Sequence, residues 1–143
     1  MTTYLLDVNV LIALVDPVHV QHDAAHEWFG GGANASWATC PITENGLVRI
    51  VGHPRYPNSP GTPAAAAAVL AGLRALPGHE FWSDDISLMD HERFDNERLL
   101  THGQVTDSYL VGLARKHQGQ LATFDRKLIV DAVRNGAAVL HLI

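Results

Sequence analysis

Residues Gln104 to Arg126 form one complete helix-to-strand unit, and it constrains the rest of the chain. Thr106 is placed as an N-cap and Asp107 in the first turn, while Tyr109, Leu110, Leu113 and Ala114 recur at the spacing of one buried helical face. Lys116 and His117 suit the negative end of the helix dipole, and Gly119 is placed at C′ to end the helix. The apolar run from Leu121 to Phe124 then predicts a buried strand with Asp125 at its C-terminal end. In an open parallel sheet, helix starts and C-terminal strand ends share one edge, so Asp107 and Asp125 can meet in space. Taken singly, each acid has a plainer reading: Asp107 compensates a dipole and Asp125 makes a turn.

The same pattern repeats upstream. Tyr4-Leu5-Leu6 predicts a strand, Asp7 its C-terminal end, and Val10 to Leu14 a helix broken at Asp16-Pro17. A second helix is expected from about Val20 to Phe29, ended by Gly30-Gly31-Gly32. Its His22 and His26 share a face at a spacing that could hold a metal, but no third ligand is evident, and we read them as ordinary partly exposed histidines. Ala35 to Thr39 predicts the second strand, and Pro41 to Val51 a helix carrying Glu44 in its first turn, where dipole compensation is the plainer reading.

A Pro-rich loop, His53 to Gly61, offers Arg55 and Tyr56, with Arg49 before it, as either a cationic stacking surface or solvated residues. Thr62-Pro63 starts an Ala-rich helix whose Val69, Leu70, Leu73 and Leu76 keep an apolar stripe. His79 to Trp82 predicts a strand, Asp90 to Leu100 a short polar helix, Lys127 to Val133 another helix, and Val139 to Leu142 a closing strand. Alternating strands and helices imply an α/β fold with a largely parallel sheet.

With 143 residues the chain has room for one domain, residues 1–143, and neither a repeat nor a second domain is visible. The single Cys40 excludes an internal disulfide, and no apolar stretch approaches the ~20 residues that span a bilayer. No basic segment precedes the first apolar run, so a soluble cytoplasmic protein is expected. The formal charge of −5 argues against nucleic-acid binding by overall field. It leaves room for a metal-dependent nuclease, because clustered carboxylates inflate the acidic count.

Asp7, Glu44, Asp107 and Asp125 each fall at a strand's C-terminal end or in the helix turn that follows. Four carboxylates gathered at such an edge, at separations of about 5 Å, would repel by about 20 kcal/mol at an effective dielectric near 20. A divalent cation is the largest available offset, and oxygen-only ligands favour Mg²⁺ or Mn²⁺ over Zn²⁺.

These residues also carry a family resemblance. The segments Tyr4 to Leu14 around Asp7 and Asn9, Ile42 to Arg49 around Glu44, Val105 to Ala114 around Asp107 and Leu121 to Arg126 around Asp125 together resemble the PIN-domain ribonucleases, and within them the VapC toxins of bacterial toxin–antitoxin pairs. The resemblance implies a three-layer α/β/α sandwich. It implies Asp7 and Asp107 as the firmest metal ligands, with Glu44 and Asp125 completing the site and Asn9 and Thr123 beside it. It further implies Mg²⁺-dependent hydrolysis of RNA, a homodimer and a small antitoxin partner. Candidate phosphate contacts are Arg49, Arg55, Arg115, Lys116, Arg126 and Lys127.

Two other functions remain open at this point. One is a Mg²⁺-dependent phosphoryl-transfer or receiver-like domain, which needs a phosphate-accepting Asp and a strand-end Lys. The other is a catalytically silent RNA- or protein-binding module.

Overall fold

In the computed structural model, which describes all 143 residues, the apolar runs become five short strands. They are β1 (Tyr4–Leu6), β2 (Trp37–Thr39), β3 (His79–Phe81), β4 (Gln120–Thr123) and β5 (Leu140–Leu142). All pair in parallel in the order β3-β2-β1-β4-β5. Five α-helices accompany them: α1 (Val8–Val15), α2 (His22–Gly30), α3 (Pro41–Val51), α4 (Pro63–Arg74) and α5 (Gln104–Lys116).

Side chains alternate across a strand, so β1 sends Leu6 to one face and Leu5 to the other, and a separate core forms on each. Leu6 packs with Val10, Leu11, Trp37, Leu47 and Leu70, from α1, α3, α4 and β2. Leu5 packs with Ala38, Leu110, Val111, Leu113 and Leu121, mainly from α5. This is a three-layer α/β/α sandwich whose central strands are covered on both sides, which is why they read as continuous apolar runs. Each fully buried Leu contributes roughly 2 kcal/mol by area removed from water.

His22 and His26 serve structure. Their ring nitrogens hydrogen-bond the carbonyls of Ala13 and Leu14, both at 2.7 Å. These lie among the carbonyls that the last turn of α1 leaves without intrahelical partners.

The structure corrects several expected boundaries. Thr106 is not the N-cap of α5; Gly103 is, three residues earlier, and the helix opens at Gln104, whose side-chain oxygen accepts the N–H groups of Leu100 (2.8 Å) and Thr101 (3.0 Å). At the other end Gln118, at φ 58°, takes the left-handed position expected of Gly119. Gly119 is needed for a different reason, since a Cβ there would lie 2.4 Å from the Thr3 carbonyl oxygen. On α4, Leu70 is buried but Val69 is exposed, and Leu76 lies past the end of the helix and is exposed as well.

Neither Asp90–Leu100 nor Lys127–Val133 forms an α-helix. Their backbone groups bond to each other instead: Phe94 bridges Val133 antiparallel, Asp95 N–H reaches the Ala132 carbonyl at 2.8 Å, and Arg134 N–H reaches that of Arg93 at 3.0 Å. The two irregular segments are held down by Phe94, which is fully buried against α5. No helix is long and apolar enough to cross a membrane.

Gly112 makes the Phe94 anchor possible, since a Cβ at that position would lie 2.3 Å from the ring's Cζ. Alanine in a helix interior normally gains about 1 kcal/mol over glycine. Here the clash outweighs it, and Gly112→Ala is expected to destabilise by ~1–3 kcal/mol, measured by urea unfolding. Stability equal to or above the parent's would show that Phe94 does not need this contact.

Candidate active site

The site begins where β1 pairs with β4. Leu6 lies opposite Ala122, and the Asp7 N–H continues the ladder onto the Ala122 carbonyl at 3.0 Å. That register sets the Asp7 carboxylate, 8% exposed, beside the fully buried Thr123. The Thr123 hydroxyl donates to Asp7 Oδ2 (2.8 Å), and the Val8 N–H at the start of α1 donates to Oδ1 (2.8 Å). Thr123 Oγ1 also accepts the Asp125 N–H at 3.1 Å, so one hydroxyl ties the ends of β1 and β4 together. Asp125 is exposed, and its Oδ1 accepts the Lys127 N–H at 2.8 Å.

Asp107, in the first turn of α5, faces the same opening. Asp7, Asp107 and Asp125 line one cavity of about 630 Å³, together with Asn9, Asn45, Gly46, Arg49 and Thr106. Burial raises the Asp7 pKa and Asp125 adds to this, against the two hydrogen bonds that lower it. Asp107 is pushed up to about 6 by burial, then by the charges of Asp7 and Asp125. The three aspartates thus form one electrostatic unit.

Glu44 does not join them. Ile42, Asn45, Gly46, Arg49 and Ile50 form the face of α3 that lines the aspartate cavity, and Glu44 lies on another face. Its Oε2 accepts the Thr39 hydroxyl at 2.6 Å, and its Oε1 lies 3.4 Å from Arg74 on α4. The expected set of four acids is therefore three in space, with the fourth in a neighbouring hollow beside Val48, Leu70 and Arg74.

The expected phosphate contacts also separate. Arg49 lines the aspartate cavity, whereas Arg126 and Lys127 are exposed beyond Asp125 and Arg55 is exposed in the Pro-rich loop. Arg115 and Lys116 lie in the last turn of α5, about 13 Å along its axis from Asp107, and Lys116 pairs with Asp85. Of the two lysines, Lys116 is thus engaged away from the aspartates and Lys127 does not line their cavity. Tyr56 is tied to the fold: it packs against the α1–α3 core, and its hydroxyl donates to the buried Asp16, which also accepts the Asn58 amide at 2.8 Å. In the sequence Asp16 reads only as a helix breaker, and Asn45 carries no assigned role. The i, i+3, i+4, i+7, i+8 row from Ile42 to Ile50 is the signal that would have found Asn45.

The donor set is oxygen-only, which suits a hard divalent cation. No three His, Cys, Asp or Glu side chains converge closely enough to wrap an ion unaided. The arrangement fits Mg²⁺, which usually keeps several waters and binds through one or two carboxylates, better than an ion needing an all-protein cage.

The raised Asp107 pKa has a definite sign in stability. The group's unfolded value is 3.8 and its folded value about 6, so stability present below 3.8 is lost as pH rises through about 6. In EDTA at about pH 8, Asp107→Asn is expected to be more stable than the parent by about 1 kcal/mol, allowing for solvent screening at this half-exposed position. The gain should shrink toward pH 4. A gain that stayed constant across that range in denaturant titrations would refute the electrostatic origin.

The PIN domain family matches residues 4–133. Ribonuclease VapC44 of Mycobacterium tuberculosis is 46% identical over 138 residues, 96% of each chain. Ribonuclease VapC39 of the same organism is 47% identical over 130 residues, covering 91% of this chain and 94% of its own. Among solved structures, that of VapBC2 from Rickettsia felis bound to a DNA fragment from its promoter matches with a TM-score of 0.59. It covers 88% of this chain and 90% of the other at 14% identity, a likeness of fold alone. Because the matched span holds β1 through β4 and every acid discussed above, the chain belongs to the PIN-domain family, in its VapC branch.

Proposed function

We propose that this protein is the toxin of a toxin–antitoxin pair, a Mg²⁺-dependent ribonuclease that hydrolyses RNA phosphodiester bonds in the cytoplasm. The observation that carries this reading is the meeting of Asp7, Asp107 and Asp125, from three elements, in one open cavity with oxygen donors only. The ribonuclease names of the VapC relatives support the substrate class, and the VapBC2 complex supports a small antitoxin as partner. A homodimer is part of the same proposal.

Asp7, Asp107 and Asp125 would hold Mg²⁺ or Mn²⁺ between them, one or two directly and the rest through bound water. Bound there, the ion supplies a lowered pKa for the attacking water and neutralises charge developing on the phosphate oxygens. The chain supplies position. Asp7 is fixed by Thr123 and Val8, which leaves it no freedom to swing away from the opening. Asp125 is braced by the Lys127 N–H, and one of the three carboxylates orients the water by accepting its hydrogen bond. Asn9 presents an exposed amide at the rim. Glu44, held by Thr39 and Arg74, acts from outside the cavity by fixing α3 against α4.

The test is cleavage of total cellular RNA by purified protein with Mg²⁺ or Mn²⁺, followed by mapping of the new 5′ ends. Asp7→Asn and Asp107→Asn are each expected to slow cleavage at least about a hundredfold, the scale of losing a group that stabilises transition-state charge. Glu44→Gln should cost less than about tenfold, since it weakens a contact outside the cavity. Undiminished cleavage by Asp7→Asn, or none by the parent with either ion, would end this reading.

A further inference from the structure

Among the ten Lys and Arg residues, Arg49 alone lines the aspartate cavity. It sits in the last turn of α3, one turn beyond Asn45 and on the same face. Its guanidinium makes no ion pair: the four salt bridges engage Arg74, Arg93, Arg98 and Lys116. Gly46 sets how close this wall comes, because a Cβ there would lie 2.8 Å from Val8 Cγ2, next to Asp7 in sequence. α3 therefore presses its Asn45–Arg49 face against the start of α1, with a free cation beside three carboxylates it does not neutralise.

Charge counting gives that cation a purpose. Three ionised aspartates and one divalent ion leave a net charge of −1, and a phosphodiester, itself −1, would be repelled. Arg49 brings the ion-bound site to neutrality before substrate arrives, and its planar fork of N–H donors matches two phosphate oxygens. We propose that Arg49 is the phosphate-binding residue of this site, gripping the non-bridging oxygens of the scissile phosphodiester from the α3 wall, opposite the aspartates; this rests on the ribonuclease reading above. It also accounts for how a chain of charge −5 can bind RNA, through local contact and not overall field.

The rival role for Arg49 is a cation compensating the C-terminal end of the α3 dipole, which would act on stability alone. Two measurements separate them. The first is binding of a short fluorescein-labelled RNA of mixed sequence across a salt series, with Ca²⁺ in place of Mg²⁺ so that the site keeps a divalent charge, comparing the parent with Arg49→Ala and Arg49→Lys. Arg49→Ala is expected to weaken binding about tenfold or more and to reduce the slope of log Kd against log salt by about 0.7, one phosphate contact on a single strand. Arg49→Lys should restore the slope but only part of the affinity, because charge is kept and the fork is lost. The second is steady-state cleavage of an RNA found by the end mapping, where Arg49→Ala should raise KM about tenfold or more with a smaller change in kcat.

Unchanged Kd and salt slope in Arg49→Ala would overturn the proposal while leaving the ribonuclease reading intact, and a lowered Tm alongside would identify the dipole role. If the parent cleaves no RNA, the ribonuclease reading falls and the Ca²⁺ binding series still decides whether Arg49 contacts phosphate. A parent that binds no RNA in that series overturns the proposal outright.

Discussion

The site depends on a buried carboxylate held at the seam between two central strands. Asp7 is almost withdrawn from solvent, and an ionised carboxylate in that position is tolerated only if its oxygens are satisfied. Thr123 and Val8 satisfy one oxygen each. The Thr123 donor is present only because β1 and β4 pair with Leu6 opposite Ala122. A slip of one residue would turn Leu5 and Leu6 to the wrong cores and carry Asp7 away from the Thr123 hydroxyl. The hydrophobic effect therefore selects the register, and the register builds the site. Fold and chemistry are specified by the same two strands.

Strand order explains why the other aspartates arrive there. β1 sits at the centre, with β2 on one side and β4 on the other, so the chain reverses its direction of travel across the sheet at the β1–β4 seam. A crevice opens at the C-terminal ends of strands at such a point. α1 leaves it on one face and α5 enters it on the other, which brings Asp7 and Asp107 in from opposite layers. Asp125 follows β4 onto the same edge. Nothing in this convergence stabilises the protein in the absence of a counter-ion. Asp107 carries the penalty as a raised pKa, as expected where a fold gives up local stability to hold a functional group.

The edge on which these aspartates lie was legible from sequence, because it needed only the alternation of apolar runs with helices and the position of each acid within its unit. Glu44 satisfied that rule and still points elsewhere. Successive helical residues are rotated by about 100°, so an acid in the first turn can face the crevice or a neighbouring helix. Placement along the chain fixes the edge, and the rotation of the helix about its own axis fixes the face. The apolar pattern did hold part of this information, since Ile42, Gly46 and Ile50 lie on the cavity side of α3 and Leu47 and Val51 in the core. The irregular segments after Asp84 and after Asp125 were illegible for a different reason. Their backbone bonds run between Arg93–Asp95 and Ala132–Arg134, and no local pattern encodes a pairing across that many residues.

The two sides of α3 are coupled by what Glu44 does instead. Thr39 donates its only hydroxyl proton to Glu44, so its contact with His79 Nε2, at 2.7 Å, requires the ring to be the donor. Burial, and then the charge of Arg74, hold the His79 pKa below its ordinary value, in keeping with a neutral ring that carries its proton on Nε2. Arg74 completes the set by pairing with Glu44 and lying over the Phe81 ring at 5.2 Å. The chain of contacts runs from β3 through β2 to α3 and on to α4, and it clamps α3 along the side turned away from the aspartates. A helix held in this way cannot rotate to exchange its faces. Asn45 and Arg49 are thereby kept toward the cavity by an acid that never enters it, and the side chain that fits the four-acid pattern least well in space fixes the wall opposite the other three.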